Sequence, residues 1–256
     1  MIQPIICLGQ QPNGFFPKRF FVAKIQKANE LQKKIGGKIV WFCHDSDSDY
    51  RETITTLIDK QSGKEANLNF TSENKIQKKF SPLYAKRIPQ EWQEETARKL
   101  PQYVNKELIA TFNSVRSDTA AGFCIRMYQR LGLLDGVEII RSSDPAVRRS
   151  AVPVPDFFMD TKYEEEIVRA RYKNDHLELH SGGDSITSLP LPAFDPEKIS
   201  PARDSRFLWM QSVINCSHYI LGAGERQYLD TNPFPNVEFI EREPIINPGH
   251  AWITKN

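Results

Sequence analysis

The chain has 256 residues, with 34 Lys and Arg against 32 Asp and Glu, a formal net charge of +2, and 39% hydrophobic and 11% aromatic residues. That is enough apolar material for one large core or two small ones and argues against disorder throughout. The near balance of charge is far from the basic excess that phosphate-backbone binding demands, so no nucleic-acid partner is expected.

No apolar stretch reaches membrane-spanning length, and the N-terminus lacks a signal peptide's charged region and cleavage site, so the expected address is the cytoplasm, with no membrane partner. Cys7, Cys43, Cys124 and Cys216 lie far apart, and three of them sit inside apolar runs such as Ile5-Ile6-Cys7-Leu8. They are expected to be small buried hydrophobes in a reducing compartment, and without a CxxC pair no zinc is expected.

Pro4 to Leu8 is an apolar run that stops at Gly9, followed by a loop rich in Gly, Pro and Asn and by helical periodicity over Arg19 to Lys34. Gly36-Gly37 ends the helix as a C-cap would, and Lys38 to Cys43 is too apolar for a one-sided strand. These form a βαβ unit, whose crossover brings the loop after Leu8 and the acidic segment after Cys43 to one sheet edge. Residues 53–70, turning at Gln61-Ser62-Gly63-Lys64, predict a β-hairpin excursion able to act as a flap. Gln90 to Phe112 has helical spacing with Pro101 as a kink, and Asp118 is placed to cap a helix from Thr119 to Leu131. Gly136 to Ile140 predicts a third core strand, and Ser143-Asp144-Pro145 opens a short helix. Residues 153–201 are proline-rich, with an acidic run at Glu164-Glu165-Glu166 and a strand from His176 to His180 ending at Gly182-Gly183, and predict an irregular insertion on the rim. A helix over Arg203 to Asn215, a strand over Cys216 to Leu221, a helix from Gly222 through Leu229 and a last strand over Val237 to Glu241 complete the pattern. The expected fold is one α/β domain over residues 1–256, with a doubly wound, mostly parallel sheet.

Three segments could carry chemistry. Gly9-Gln10-Gln11-Pro12-Asn13-Gly14 lies between a buried strand and a helix whose free N–H groups and dipole favour an anion, with Lys18 and Arg19 adding positive charge; a plain turn capped by Asn13 is the bland alternative. His44-Asp45-Ser46-Asp47-Ser48-Asp49-Tyr50 follows a buried strand, and if it stays extended Asp45, Asp47 and Asp49 share one face. Clustered carboxylates want a cation, an arginine or a proton, and a solvated acidic turn is the alternative. An EF-hand is excluded, because Tyr50 stands where the loop needs Gly and Thr56 where it needs Glu. Gly222-Ala223-Gly224-Glu225 repeats the strand, glycine turn and helix, with Arg203 upstream, and suits a phosphate or carboxylate pocket at a topological switch point. His176 and His180 share a strand face well apart, His218 is expected to be a satisfied core histidine, and His250 has no assigned role.

In order along the chain, Gly9-Gln10-Gln11-Pro12, then Phe42 to Tyr50, then Asp144-Pro145 with Arg148 and Arg149, then Gly222-Ala223-Gly224-Glu225 with Tyr228, are similar to short motifs of one family. The chain resembles the bacterial enzymes that add cysteine to glucosaminyl-malate in bacillithiol biosynthesis. The resemblance implies a Rossmann-like core and a ligase or transferase acting on a small polar metabolite, with a nucleotide, ATP with Mg²⁺ being the candidate. It departs where Gln10 and Ser48 replace the family's histidines and where the family's helical extension, a dimerisation surface, is absent; a homo-oligomer stays open.

In that picture Asp47, Asp49 and Gln10 act on the substrate, one Asp binding metal or accepting a proton. Gly9, Gln11, Asn13, Lys18, Arg19, His44, Asp45, Arg203, Gly222, Gly224 and Glu225 hold substrate or nucleotide. Two other readings remain: a non-catalytic small-molecule or nucleotide-binding module on the same core, and a nucleotidylyltransferase-like enzyme, hinted at by Ile199-Ser200 and Arg203 but lacking His-x-Gly-His.

Overall fold

The computed structural model describes residues 3–59, 61–182 and 185–253. In chain order the first half runs β1 (Ile5–Gln10), α1 (Arg19–Ile35), β2 (Lys38–Cys43), β3 (Thr55–Ile58), β4 (Glu65–Leu68), α2 (Lys75–Phe80), α3 (Trp92–Lys99), α4 (Lys106–Ser114), α5 (Ala120–Arg130) and β5 (Val137–Arg141). The second half runs α6 (Pro145–Ser150), β6 (Phe157–Tyr163), β7 (Glu166–Lys173), β8 (His176–Gly182), β9 (Ser185–Leu189), β10 (Ile199–Pro201), α7 (Arg206–Ile214), β11 (His218–Leu221), α8 (Ala223–Arg226) and β12 (Glu238–Glu241).

The main sheet has the order β12-β11-β1-β2-β5, and every pairing in it is parallel. The chain builds outward from β1 through β2 to β5, then returns to the other side of β1 for β11 and β12. This is the Rossmann-like, doubly wound arrangement, and the order reverses between β1 and β11. Both faces are buried, as runs without alternation require. Ile6, Leu8, Ile39 and Trp41 pack with α1 and α5 on one face, whereas Cys7, Val40 and Phe42 pack with Trp209 and Met210 of α7 on the other. All four cysteines are free and buried. No helix among the described residues is long and apolar enough to cross a membrane.

Residues 153–201 are not irregular. They form a second sheet of order β10-β6-β7-β8-β9 with antiparallel pairings throughout. Two of its turns are tight two-residue hairpins at positive φ, Glu164-Glu165 (46° and 62°) and Asn174-Asp175 (48° and 61°). Asn-Asp suits such a turn, but Glu-Glu does not advertise one, so the hairpin is hidden in what looks like an acidic helix face. Glu166 begins β7 buried and pairs with Arg87 and Asn74. Gly183, expected at the end of the strand from His176, lies outside the described residues.

The hairpin β3-β4 forms as expected but is no flap. Thr55 and Leu57 are fully buried, Phe15 N donates to Thr55 Oγ1 at 3.0 Å, and Ala251 N donates to Thr56 O at 2.8 Å, so its base is stitched into the core. The long helix expected over residues 90–112 is two helices, because Leu100, preceding Pro101, takes an extended conformation. Thr119, not Asp118, caps α5, its side chain accepting from Gly122 N.

The loop between β1 and α1 differs most from expectation. Phe15 and Phe16 are fully buried, and Phe15 sits 5.1 Å from Phe112 and 5.8 Å from Trp92 between ring centroids. The loop is therefore an aromatic plug in the core. Phe15→Ala is expected to cost about 3–5 kcal/mol through lost burial and the cavity left behind, measured by urea unfolding; a loss below about 1 kcal/mol would show that the plug does not bear on stability.

Candidate functional site

A crevice of about 570 Å³ opens at the C-terminal ends of β1 and β11, where the strand order reverses. Its walls include Gly9, Gln10 and Gln11 after β1, His44, Asp47 and Asp49 after β2, Arg203 and Arg206 at the start of α7, and Gly222, Gly224 and Glu225 after β11. The glycine and acidic segments thus meet, as the crossover geometry requires.

Gly9 must be glycine because of what surrounds it: a Cβ there would stand 2.7 Å from Tyr219 Oη and 2.8 Å from His44 Nε2. Its N–H donates to Tyr219 Oη at 3.2 Å, and the Tyr219 hydroxyl donates to Glu225 Oε1 at 3.3 Å. Glu225 also accepts from Gly222 N at 3.0 Å and forms an ion pair with Lys24. Lys24 Nζ in turn donates to Gly9 O at 3.2 Å and to Gln10 Oε1 at 3.3 Å. The connection continues from Gln10 Nε2 to Gln11 Oε1 (2.9 Å), then from Gln11 Nε2 to Asp47 Oδ2 (3.1 Å). Arg206 Nη2 closes it on the same Asp47 oxygen at 2.9 Å. Gln10 and Gln11 are therefore parts of a wall whose polar groups orient one another.

His44 is 6% exposed and packs edge-on against Phe42, with ring centroids 5.0 Å apart. Burial pushes its pKa well below the ordinary 6.5, and the Arg206 guanidinium adds to the effect, so the imidazole is neutral at pH 7. Asp47 behaves oppositely. Burial alone would raise its pKa, but Arg206 and Arg169, with hydrogen bonds from Asp49 N and Gln11, hold it well below the usual carboxylate range.

Four expected site residues do not line the crevice. Asp45, fully buried, turns away to accept from Arg141 Nε (2.6 Å), Ser143 Oγ (2.7 Å) and Ser143 N (3.0 Å), which ties the end of β2 to the end of β5. Asn13 is also buried and closes the plug loop, its Oδ1 accepting from Lys18 N at 2.9 Å. Lys18 pairs with Glu52 at 3.8 Å, and Arg19 reaches Ile246 O at 3.4 Å.

The three aspartates do not share a face, because the segment turns instead of staying extended, its backbone pinned by Leu83 N on Asp47 O and Tyr84 N on Asp45 O. Asp49 pairs with the exposed Arg51. Nor does α1 offer its N-terminus to an anion: Arg19 N donates to His250 O at 2.9 Å and Phe20 N to Pro248 O at 3.1 Å. The turn after β11 leads only into the four-residue α8. Among the described residues no group of three or more His, Cys, Asp or Glu side chains could hold a metal ion.

Lys24, Arg206, Tyr219 and Arg242 were not singled out from sequence. Lys24 carried a signal: it stands with Phe21, Ile25 and Ala28 on the buried face of α1, where a lysine needs a buried partner. Arg242, whose Nε is buried without a hydrogen-bond partner, stands 3.5 Å from where a Gly222 Cβ would be. No protein-family model matches this chain, and no curated protein matches its sequence.

The neutral His44 has a consequence for stability. As pH falls through about 6.5 the unfolded chain's imidazole takes up a proton that the buried ring refuses. The unfolded state then binds more protons, and stability falls with falling pH. Urea unfolding between pH 7.5 and 5 is expected to show a smaller acid loss in His44→Gln than in the wild type. Equal slopes would show that the folded ring protonates freely. Asp47 contributes a separate loss only below about pH 4, where the unfolded carboxylate protonates.

Proposed function

We propose that the chain is a ligase or transferase acting on a small polar metabolite with an anionic group, in the switch-point crevice. The observation that carries this reading is a neutral imidazole, His44, fixed against Gly9 on the wall of that crevice, with an ionised Asp47 on the same wall. The unprotonated imidazole takes the proton that an attacking hydroxyl or amine releases as its new bond forms, and returns it to the departing group, once an anionic ligand offsets the arginine charge that, with burial, otherwise makes the ring a weak base. Arg203 and Arg242 are the guanidiniums placed for the anion, the first stacked 5.3 Å from the Tyr228 ring centroid, the second with its unpartnered Nε.

The resemblance to the bacillithiol-pathway enzymes supports the same class. His44 gives the crevice an imidazole where Gln10 and Ser48 stand in place of the family's histidines.

ATP with Mg²⁺ fits these groups poorly. The helix N–H groups that would cradle a triphosphate are taken by Pro248 and His250, and Asp45, Asp47 and Asp49 are each held by an arginine. Transfer from an already activated donor is therefore favoured over nucleotide-driven ligation.

Native mass spectrometry for a retained small molecule, followed by a thermal-shift panel of phosphorylated and carboxylated metabolites, would identify the ligand, which should raise the melting temperature with concentration. With that ligand, His44→Gln is expected to lower turnover by about 10²-fold or more with little change in affinity, and Arg242→Gln to weaken binding by about ten-fold. Turnover unchanged in His44→Gln would remove the proton-transfer role. Tight retention without turnover would instead favour the binding module.

A further inference from the structure

A second crevice, of about 730 Å³, lies on the antiparallel sheet and shares no lining residue with the first. Its walls include Ser48, Phe80, Phe158, Arg169, Arg171 and Lys173. The turn after β2 therefore stands between the two crevices, Asp47 lining one and Ser48 the other.

Arg169, Arg171 and Lys173 alternate along β7, so they share one face of the sheet. Their compensation is uneven. Arg171 is held bidentately by Asp156 at 2.7 and 3.1 Å, and Lys173 lies 3.7 Å from Glu178. Arg169 is only 8% exposed, and its guanidinium lies flat over the Phe158 ring, 3.7 Å from the centroid. It donates to two neutral oxygens, Ser200 Oγ at 3.0 Å and Pro201 O at 2.9 Å. The carboxylate it has within reach is Asp47, 4.0 Å away and already hydrogen-bonded to Arg206. With Arg206 and Arg148 around it, three guanidiniums thus face two carboxylates, Asp47 and the Asp160 that Arg148 holds, which leaves a buried positive charge in excess. Such an excess is costly unless an anion offsets it.

We propose that this second crevice binds a small molecule bearing a phosphate or carboxylate group, with that group seated against Arg169 and Arg171. The site is separate from the switch-point crevice and stands whether or not that crevice is catalytic. An enzyme that joins two compounds needs a place for each, and the Asp47–Ser48 turn would then separate the two ligands.

The test is isothermal titration of inorganic phosphate and, separately, of succinate, at matched ionic strength. It uses the wild type, the exposed double variant R171Q/K173Q, and R242Q as the first-crevice control, with folding checked by near-UV circular dichroism. Saturable binding of either anion is expected, with the dissociation constant raised about five-fold or more in R171Q/K173Q and by less than about two-fold in R242Q. Preference for phosphate assigns the ligand as a phosphate ester, and preference for succinate as a carboxylate. Absence of saturable binding to the wild type, affinity unchanged in R171Q/K173Q, or a loss in R242Q as large as that in the double variant overturns the proposal.

Discussion

Asp47 is held by guanidiniums from two separately built parts of the molecule, Arg206 at the first position of α7 and Arg169 in the middle of the antiparallel sheet. This carboxylate ties the second sheet to the parallel core, beside the buried Arg148–Asp160 pair. Its backbone is fixed as well, with the Asp47 carbonyl accepting from Leu83 N at 2.8 Å. A buried carboxylate between two arginines is a strong positional constraint and a weak source of net stability, because desolvation offsets much of the attraction. Losing one partner is another matter, since it leaves an uncompensated buried charge at a cost of about 3–5 kcal/mol. Burial is the main reason that His44 stays neutral, and the positive field of Arg206 and Arg169 adds to it, so the turn, the crevice and the junction between sheets share their electrostatics.

The parallel core was legible because its strands are apolar on both faces and its punctuation is strong. Ile5 to Leu8 and Ile39 to Cys43 alternate between two buried clusters and show no polar side, and Gly36 ends α1 at φ 72°. Asp144-Pro145 opens α6 as expected, with Asp144 accepting from Ala146 N. The antiparallel sheet was obscure for a physical reason. Its strands do alternate, Val168 and Ala170 against Arg169 and Arg171 in β7, but one of its turns is Glu-Glu, which reads as part of an acidic run and hides where the hairpin folds back.

At the candidate site, sequence reading located the loops and missed most of the partners. Gly9, His44, Asp47 and Gly222 stand out locally because glycines and polar residues follow apolar strands. Arg169 and Arg206 come from segments far along the chain, and their association with Asp47 is a property of the fold. The same holds for Tyr219, whose hydroxyl meets Gly9 only because β11 pairs with β1. Asp45 and Asn13 were drawn in by their neighbours. A polar residue after a buried strand is as often satisfying backbone ends as facing a ligand, and these two do the former.

The plug between β1 and α1 changes what lines the crevice. In many doubly wound folds this position carries a glycine turn that leaves the helix N–H groups free for phosphate. Here Phe15 and Phe16 fill the aromatic core, and residues 248–250 take the first N–H groups of α1. Backbone dipoles are thereby removed from the crevice, and Arg203, Arg206 and Arg242 take their place along its walls. A guanidinium distinguishes planar, bidentate anions by geometry, whereas a helix end accepts anionic charge more generally. On the proposed reading the substitution therefore favours a ligand whose anionic group has a defined orientation. Arg206 stands within reach of Asp47 and also lowers the pKa of His44, so on that reading an anion seated beside Arg206 would ease protonation of His44.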